Sequence, residues 1–188
     1  VGEAAFQQCT DLSKVTLHNG TQTIGQGAFY QCGNLSSVTL PESLVSIGES
    51  AFNSCTSLTS VVVPKNIKTI EPNTFRSCSS LTNIVLPDSL VTIGESAFQG
   101  CGMSQIRIPD NVSVFGSYAF KQCESLTSVA IPKSMASIAR GAFDECSNLT
   151  SVTIPEGVTT IGKEAFRWCN LLSLTLPQSL TTIAEGAG

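Results

Sequence analysis

The amino-acid sequence predicts an α/β solenoid in which about eight units of 22–23 residues stack on one another. Phenylalanine recurs every 23 residues, with a single step of 22, and a cysteine always follows three residues later. Such a fixed period is the signature of a repeat protein, in which each unit contacts only its neighbours. The cysteines are Cys9, Cys32, Cys55, Cys78, Cys101, Cys123, Cys146 and Cys169, and the prolines that close the units are Pro41, Pro64, Pro87, Pro109, Pro132, Pro155 and Pro177.

Three short segments are predicted within each unit. Residues 149–155 alternate apolar and polar side chains and end at a proline, which predicts a half-buried parallel strand that stops where the backbone donor is lost. Residues 158–161 predict a second short extended segment. Residues 162–169 predict a helix of one to two turns, with Ala165 and Cys169 on one side and Phe166 beside them. A helix this short is unstable alone, so we expect stacked neighbours to bury its apolar side.

A single domain is predicted over residues 1–188, with units that start near residues 1, 24, 47, 70, 93, 115, 138 and 161 and a stub from residue 183. Two units are one residue short, because Met103 and Leu171 follow their cysteines one position earlier than the leucines of other units. His18 stands in the proline position of the first unit. The chain begins and ends in the middle of the pattern, so we expect it to be a fragment of a longer array.

Composition argues against two classes of partner. Only 13% of the residues are charged, the net charge is -4 at pH 7, and the isoelectric point is about 4.9. Nucleic-acid binding requires a clustered basic face, so no nucleic-acid partner is expected. No apolar run approaches the roughly 20 residues of a membrane-spanning helix, so no direct membrane insertion of this segment is expected.

The eight cysteines and the single histidine are the residues that could carry disulfides, a metal or catalysis. Because all the cysteines share one phase of the repeat, their side chains should lie parallel in a column rather than face one another. We therefore expect eight buried free thiols that behave as small apolar groups. The spacing, without a C-x-x-C pair, does not fit a metal site. His18 has no catalytic partner at usable spacing, and no enzyme or cofactor motif occurs, so neither a catalytic site nor a cofactor is predicted.

The repeated motif L-P-x-x-L-x-x-I-G-x-x-A-F-x-x-C, as in residues 86–101, resembles the BspA-like, or treponemal-type, leucine-rich repeat family. The resemblance covers essentially the whole chain. It implies a leucine-rich-repeat solenoid from a surface or secreted protein of mucosa-dwelling bacteria or protist parasites, hence an extracellular or cell-surface location. Members of that family are associated with adhesion to host cells and extracellular matrix, and some with bacterial co-aggregation.

Two surfaces are candidates for ligand binding. The outward positions of the predicted strands are mostly small and polar, except for a mixed apolar and cationic spot in the middle of the array, formed by Val62, Val85, Gln105 and Arg107. The residues between Phe and Cys form a second candidate edge, at Tyr30, Arg167 and Trp168, because exposed aromatics and arginines are favoured at interfaces. The alternatives are an ordinary solvated face and a Trp168 side chain that packs on the last unit.

The leading hypothesis is a non-enzymatic adhesion or binding module that recognises a protein or glycan, such as extracellular matrix or a host cell surface. The alternative is a structural spacer that displays another domain and binds nothing itself. Because the terminal units have no caps, end-to-end self-association is a further expectation. Four N-x-S/T sequons permit N-glycosylation in a eukaryotic source, at Asn19, Asn34, Asn111 and Asn148.

Overall fold

The computed structural model describes all 188 residues and is a parallel β-solenoid built from two alternating kinds of short strand. Three-residue strands follow the cysteines, and two-residue strands follow the prolines. In chain order the strands are β1 (Lys14–Thr16), β2 (Thr23–Ile24), β3 (Ser37–Thr39), β4 (Ser46–Ile47), β5 (Ser60–Val62), β6 (Thr69–Ile70), β7 (Asn83–Val85), β8 (Thr92–Ile93), β9 (Val114–Phe115), β10 (Ser128–Ala130), β11 (Ser137–Ile138), β12 (Ser151–Thr153), β13 (Thr160–Ile161) and β14 (Thr182–Ile183).

All strand pairs are parallel and connect equivalent positions of successive units. The three-residue strands form the sheets β1-β3-β5-β7 and β10-β12, and together they make one surface that we call the strand face. The two-residue strands form β2-β4, β6-β8-β9 and β11-β13-β14. The middle residue of each three-residue strand turns inward, as with Val61, which pairs with Ile84 of the next unit. This alternation confirms the period-2 pattern read from the sequence.

The predicted helices are wrong: the structure contains no helix, and therefore none that is long and apolar enough to cross a membrane. Each G-x-x-A-F-x-x-C stretch is instead a run of β-turns. In the second unit the Ala28 amide donates to the Gly25 carbonyl at 3.2 Å, and Cys32 donates to Phe29 at 3.2 Å. The intervening Phe29 amide donates to Ala51 of the next unit at 2.8 Å. An α-helix needs successive amides to bond within the segment, and here alternate amides bond between units.

Two residues of each turn run have left-handed backbone conformations, four positions apart. Gly27 and Gln31, for example, have φ of 59° and 58°. This conformation costs about 1–2 kcal/mol for a residue with a Cβ, and the hydrogen bonds between units offset that cost. Most of these positions carry Gly, Ser, Asn, Gln or Glu, whereas Tyr118 and Trp168 are bulky exceptions. The surface formed by these turn runs is called the turn face below.

The core is organised by a stack of phenylalanine rings, one from each unit. Neighbouring rings along the stack lie 5.3–5.6 Å apart and within 13° of parallel. Phe115 adds an edge-on contact to Phe120 at 5.5 Å. The stacked rings are Phe6, Phe29, Phe52, Phe75, Phe98, Phe120, Phe143 and Phe166. The rings therefore form one continuous column along the array.

The cysteines run beside the phenylalanine stack, and all eight thiols are free. Burial is confirmed for six of them and is wrong for Cys9, which is exposed, and for Cys169, which is half-buried. From Cys32 onward each thiol donates to the phenylalanine carbonyl of the preceding unit at 3.0–3.2 Å. Cysteine thus supplies a compact buried side chain together with a weak donor for a carbonyl. Burial raises the pKa of the Cys55 and Cys123 thiols to about 12.

The strand face is interrupted in the two units that are one residue short. Gln105 and Arg107 were expected at outward positions of a strand. They lie instead in a segment without strand structure, in the unit that is stacked between those of β7 and β10. In the last unit only an isolated bridge from Ser151 to Ser173 remains. In the full-length units a turn follows the cysteine, and in it a leucine amide donates to the cysteine carbonyl three residues earlier at 2.9–3.1 Å. In the two short units Met103 and Leu171 make no such bond. The deletion removes this turn, and with it the strand.

Candidate functional site

Val62 and Val85 form an exposed apolar pair on the strand face, as the sequence suggested. They are opposite each other in the register of β5 and β7, with exposed fractions of 63% and 48%. Most other outward positions on this face carry Ser, Thr or Asn. The pair is therefore a small apolar area within a polar sheet surface.

Gln105 and Arg107 lie next to that pair but belong to a different feature. They line a depression of about 450 Å³ at the interruption of the strand face. We call this depression the slot, and its lining comprises Asn83, Ile84, Gln105, Ile106, Arg107, Ser128, Val129 and Ala130. Both terminal nitrogens of the Arg107 guanidinium donate to one carboxylate oxygen of Asp88 at 3.0 Å, and both side chains are largely exposed. An exposed ion pair of this kind contributes little stability, so Arg107 is available to another partner.

The second candidate edge is the turn face, and the structure divides its three predicted residues. Tyr30 and Arg167 occupy the same position of the repeat but lie six units apart, about 29 Å at 4.8 Å per unit. Tyr30 therefore belongs to no common site with Arg167 and Trp168. Arg167 and Trp168 lie together, with the guanidinium carbon 4.7 Å from the centre of the indole ring.

A buried aspartate fixes Arg167 against Trp168. The Asp144 side chain is fully buried and receives two hydrogen bonds from the Arg167 guanidinium, at 2.9 and 2.8 Å. Lys121 Nζ lies 3.0 Å from the same carboxylate, on the opposite neighbouring unit. Burial raises the pKa of Asp144, but hydrogen bonds from Arg167 and Lys121 outweigh it and hold that pKa below the usual value. Trp168 itself is 67% exposed, which contradicts packing of its ring on the last unit.

Sequence reasoning missed a second aromatic group on the turn face. The Tyr118 ring lies against Gly141, where an added Cβ would come within 2.4 Å of two ring carbons. Lys121 and Arg140 both lie 5.6 Å from the centre of the Tyr118 ring. Arg140 also pairs with Glu164 at 3.3 Å. Alignment of the units would have indicated that Lys121, Asp144 and Arg167 are neighbours of opposite charge, since they share one position in three successive units.

These side chains border a groove of about 350 Å³ on the turn face. Its lining is almost entirely polar and contains four cationic groups, three of which are paired with acidic residues. Lys121 is bound by Glu145 as well as Asp144, and these two contacts raise its pKa. The lining residues are Arg76, Ser96, Gln99, Tyr118, Lys121, Arg140, Glu164 and Arg167. The groove and Trp168 together form an aromatic and cationic area, which we call the turn-face patch.

All four sequon asparagines are exposed. The side-chain amides of Asn111 and Asn148 donate to backbone carbonyls of the preceding unit, those of Asp88 and Glu124, at 2.8 Å. Those two amides support the stacking of units, so their exposure alone does not indicate modification.

A parallel solenoid with a stacked aromatic core and long exposed faces defines a leucine-rich-repeat module of the β-solenoid kind. The chain belongs to the BspA-type leucine-rich repeat family, whose sequence profile matches six copies over residues 1–127 and 68–187. The family resemblance drawn from the repeated motif is thereby confirmed. No curated protein sequence matches the chain.

Solved structures of bacterial leucine-rich repeat proteins share the fold. A protein from Bacteroides ovatus has a TM-score of 0.78 at 28% identity, covering 91% of this chain and 53% of its own. A leucine-rich cell surface protein from Faecalibacterium prausnitzii has a TM-score of 0.69 at 27% identity, covering 99% of this chain and 66% of its own. The T. pallidum leucine-rich repeat protein has a TM-score of 0.61 at 31% identity, covering 92% and 71%. This chain thus spans about half to two thirds of the length of the first two.

Proposed function

We propose that this chain is a non-enzymatic binding module of a cell-surface or secreted adhesion protein. It recognises a protein or glycan on a host or neighbouring cell through the turn-face patch. Family membership and the similarity to a protein described as a leucine-rich cell surface protein support the location.

The observation that carries the proposal is the exposed Trp168 on a fixed arginine. Trp168 is the only tryptophan of the chain, and it occupies a left-handed position with φ of 61°, where most units carry small or flexible polar residues. Its exposure leaves a large apolar surface in water, and the Asp144 contact fixes Arg167 beside it. Preorganised Trp and Arg side chains are the groups that dominate binding energy at interfaces.

The alternative function is a spacer that displays another domain and binds nothing. It is supported by the strand face, whose outward residues are mostly small and polar. A spacer gains nothing from an exposed indole, however, and the turn-face patch favours the binding module.

The test is binding of the purified chain to fibronectin, laminin and collagen surfaces and to epithelial cells. Three variants accompany the wild type: Trp168→Ala with Arg167→Ala, a strand-face variant with Val62→Ser, Val85→Ser and Arg107→Ala, and Tyr30→Ala as a matched aromatic control. Removal of Trp168 and Arg167 should raise the Kd at least about 30-fold, which corresponds to about 2 kcal/mol. The Tyr30→Ala variant should bind like the wild type.

Each outcome distinguishes the hypotheses. Saturable binding that only the Trp168/Arg167 variant loses supports the turn-face patch. Loss only in the strand-face variant moves the site to Val62, Val85 and Arg107 and overturns the turn-face assignment. An absence of binding to every surface and cell type favours the spacer.

A further inference from the structure

The slot in the strand face originates from one missing residue. In full-length units two residues separate the cysteine from the next inward leucine, and one residue, Gly102, separates Cys101 from Met103. Met103 nevertheless fills the leucine position completely, with no exposed surface. The chain therefore takes a shorter path, and an added Cβ on Gly102 would lie 2.3 Å from the Ser79 carbonyl oxygen. The other short unit also borders a depression on this face, of about 380 Å³.

The backbone in the slot lacks its hydrogen-bond partners. From Gly102 to Ile108 no backbone amide donates a hydrogen bond, and only the Ser104 carbonyl accepts any, from the amide and the hydroxyl of Thr127 at 3.0 and 3.2 Å. At the residue that follows each three-residue strand, Leu17, Val63 and Ile131 donate to the next unit at 2.9–3.1 Å, whereas Leu40, Leu86 and Ile154 do not. Unpaired backbone groups are costly unless water or a ligand satisfies them.

The slot also offers side-chain contacts that suit an extended chain. Ile84 and Ile106 turn inward in the register of the repeat but are only half-buried, so their side chains form an apolar floor. Arg107 and Gln105 lie at the rim. The flanking strands β7 and β10 belong to units two steps apart, about 9.6 Å, and residues 105–107 of the intervening unit line the slot between them.

We propose that the slot binds an extended peptide segment with an acidic side chain. Unpaired backbone groups bind the peptide main chain, the isoleucine floor receives one apolar side chain, and Arg107 exchanges Asp88 for the peptide carboxylate. Binding by strand addition relies on main-chain hydrogen bonds for affinity and on alternate side-chain pockets for specificity. The inference rests on the proposed function, since it gives the binding module a second surface and a ligand class.

The experiment uses the whole chain and synthetic ten-residue peptides of alternating Thr and Val, with a central Asp, a central Asn, or N-methylated backbone amides. Insertion of one Ser between Gly102 and Met103 restores a 23-residue unit, so a regular strand should form and abolish peptide binding. Insertion of one Ser between Asn170 and Leu171 repairs the other short unit and serves as the matched control. It should leave peptide binding unchanged.

A point variant tests the acidic contact without altering the fold. Arg107→Ala should weaken the Asp peptide about fivefold, the value of an exposed ion pair near 1 kcal/mol, and leave the Asn peptide unaffected. Hydrogen exchange should show fast amides at Gln105 and Arg107 that slow when the Asp peptide is bound.

The inference is overturned when the Asp peptide fails to bind at millimolar concentration, when the insertion after Gly102 leaves binding intact, or when the N-methylated peptide binds equally well. Preference for an acidic oligosaccharide over every peptide overturns it as well. Peptide binding together with absent cell adhesion would refute the proposed function alone. Cell adhesion through Trp168 together with absent peptide binding would refute this inference alone.

Discussion

Asp144 holds Arg167 across a unit boundary, through two hydrogen bonds of 2.9 and 2.8 Å to a carboxylate that is fully buried. The contact links adjacent units and holds the guanidinium against which the Trp168 ring lies. A flexible arginine would lose side-chain freedom when it bound a ligand, whereas this one is already ordered in the free chain.

Replacement of Asp144 by Asn should lower the free energy of unfolding by about 2 kcal/mol at pH 7, since hydrogen bonds to a charged group are lost. The pKa of Asp144 is lowered in the folded state, so its contribution is complete above the ordinary value near 3.8 and is lost as the pH falls below it. Urea unfolding between pH 7 and pH 2 measures this. The wild type should lose its advantage over Asp144→Asn at acid pH. A difference that is constant over this range would contradict the prediction.

The thiols should react in distinct classes with a thiolate-specific reagent at pH 8. Cys9 is exposed and should react quickly, whereas burial raises the pKa of Cys169 to about 11 and that of Cys55 and Cys123 to about 12. Thiolate is the reactive form, so the core cysteines should remain unmodified until the chain unfolds. Titration without reductant should count one fast thiol in the folded chain and eight after unfolding. Fewer than eight after unfolding would indicate disulfides.

Substitution of Gly141 by Ala should displace the Tyr118 ring, because the new Cβ would lie 2.4 Å from two ring carbons. Gly27 is a matched control, with φ of 59° against 58° and no atom closer than 3.7 Å to an added Cβ. Both changes should cost about 1–2 kcal/mol for the left-handed backbone. Only Gly141→Ala should also couple to Tyr118→Ala in a double-mutant cycle of unfolding free energies. Equal effects with no coupling would show that the ring does not rest on Gly141.

End-to-end self-association of this chain remains a prediction. The first unit exposes Phe6 by 44%, and the last exposes Leu172 and Ile183 by 85% and 54%. Sedimentation velocity from 5 to about 500 μM should show a rising weight-average mass, and Leu172→Glu with Ile183→Glu should suppress it. Strictly monomeric behaviour of the wild type would contradict this prediction.

The sequence predicts the solenoid and its core well, because Phe, Cys and Pro recur at fixed positions of the repeat. Residues at one such position have similar surroundings along the array. The helix prediction is wrong because periodicity within a unit does not reveal that alternate amides bond to the next unit. The left-handed backbone at Gly27 and Gln31, which excludes a helix, is visible only in the coordinates. The Asp144–Arg167 contact joins residues 23 positions apart and becomes visible when the units are aligned. The slot results from the residue that is missing between Cys101 and Met103. The effect of this shortening on backbone hydrogen bonds can be seen only in the structure.

Trp168 fluorescence provides the most direct measurement of the central claim, since it is the only tryptophan and reports on the turn-face patch alone. The chain is titrated with the matrix protein or cell-surface extract that it binds in the adhesion test, and acrylamide quenching is recorded at each step. The account predicts that quenching falls and the emission shifts to shorter wavelength with the same Kd as binding. Saturable binding with unchanged emission and quenching would show that the ligand contacts another surface and would contradict the account.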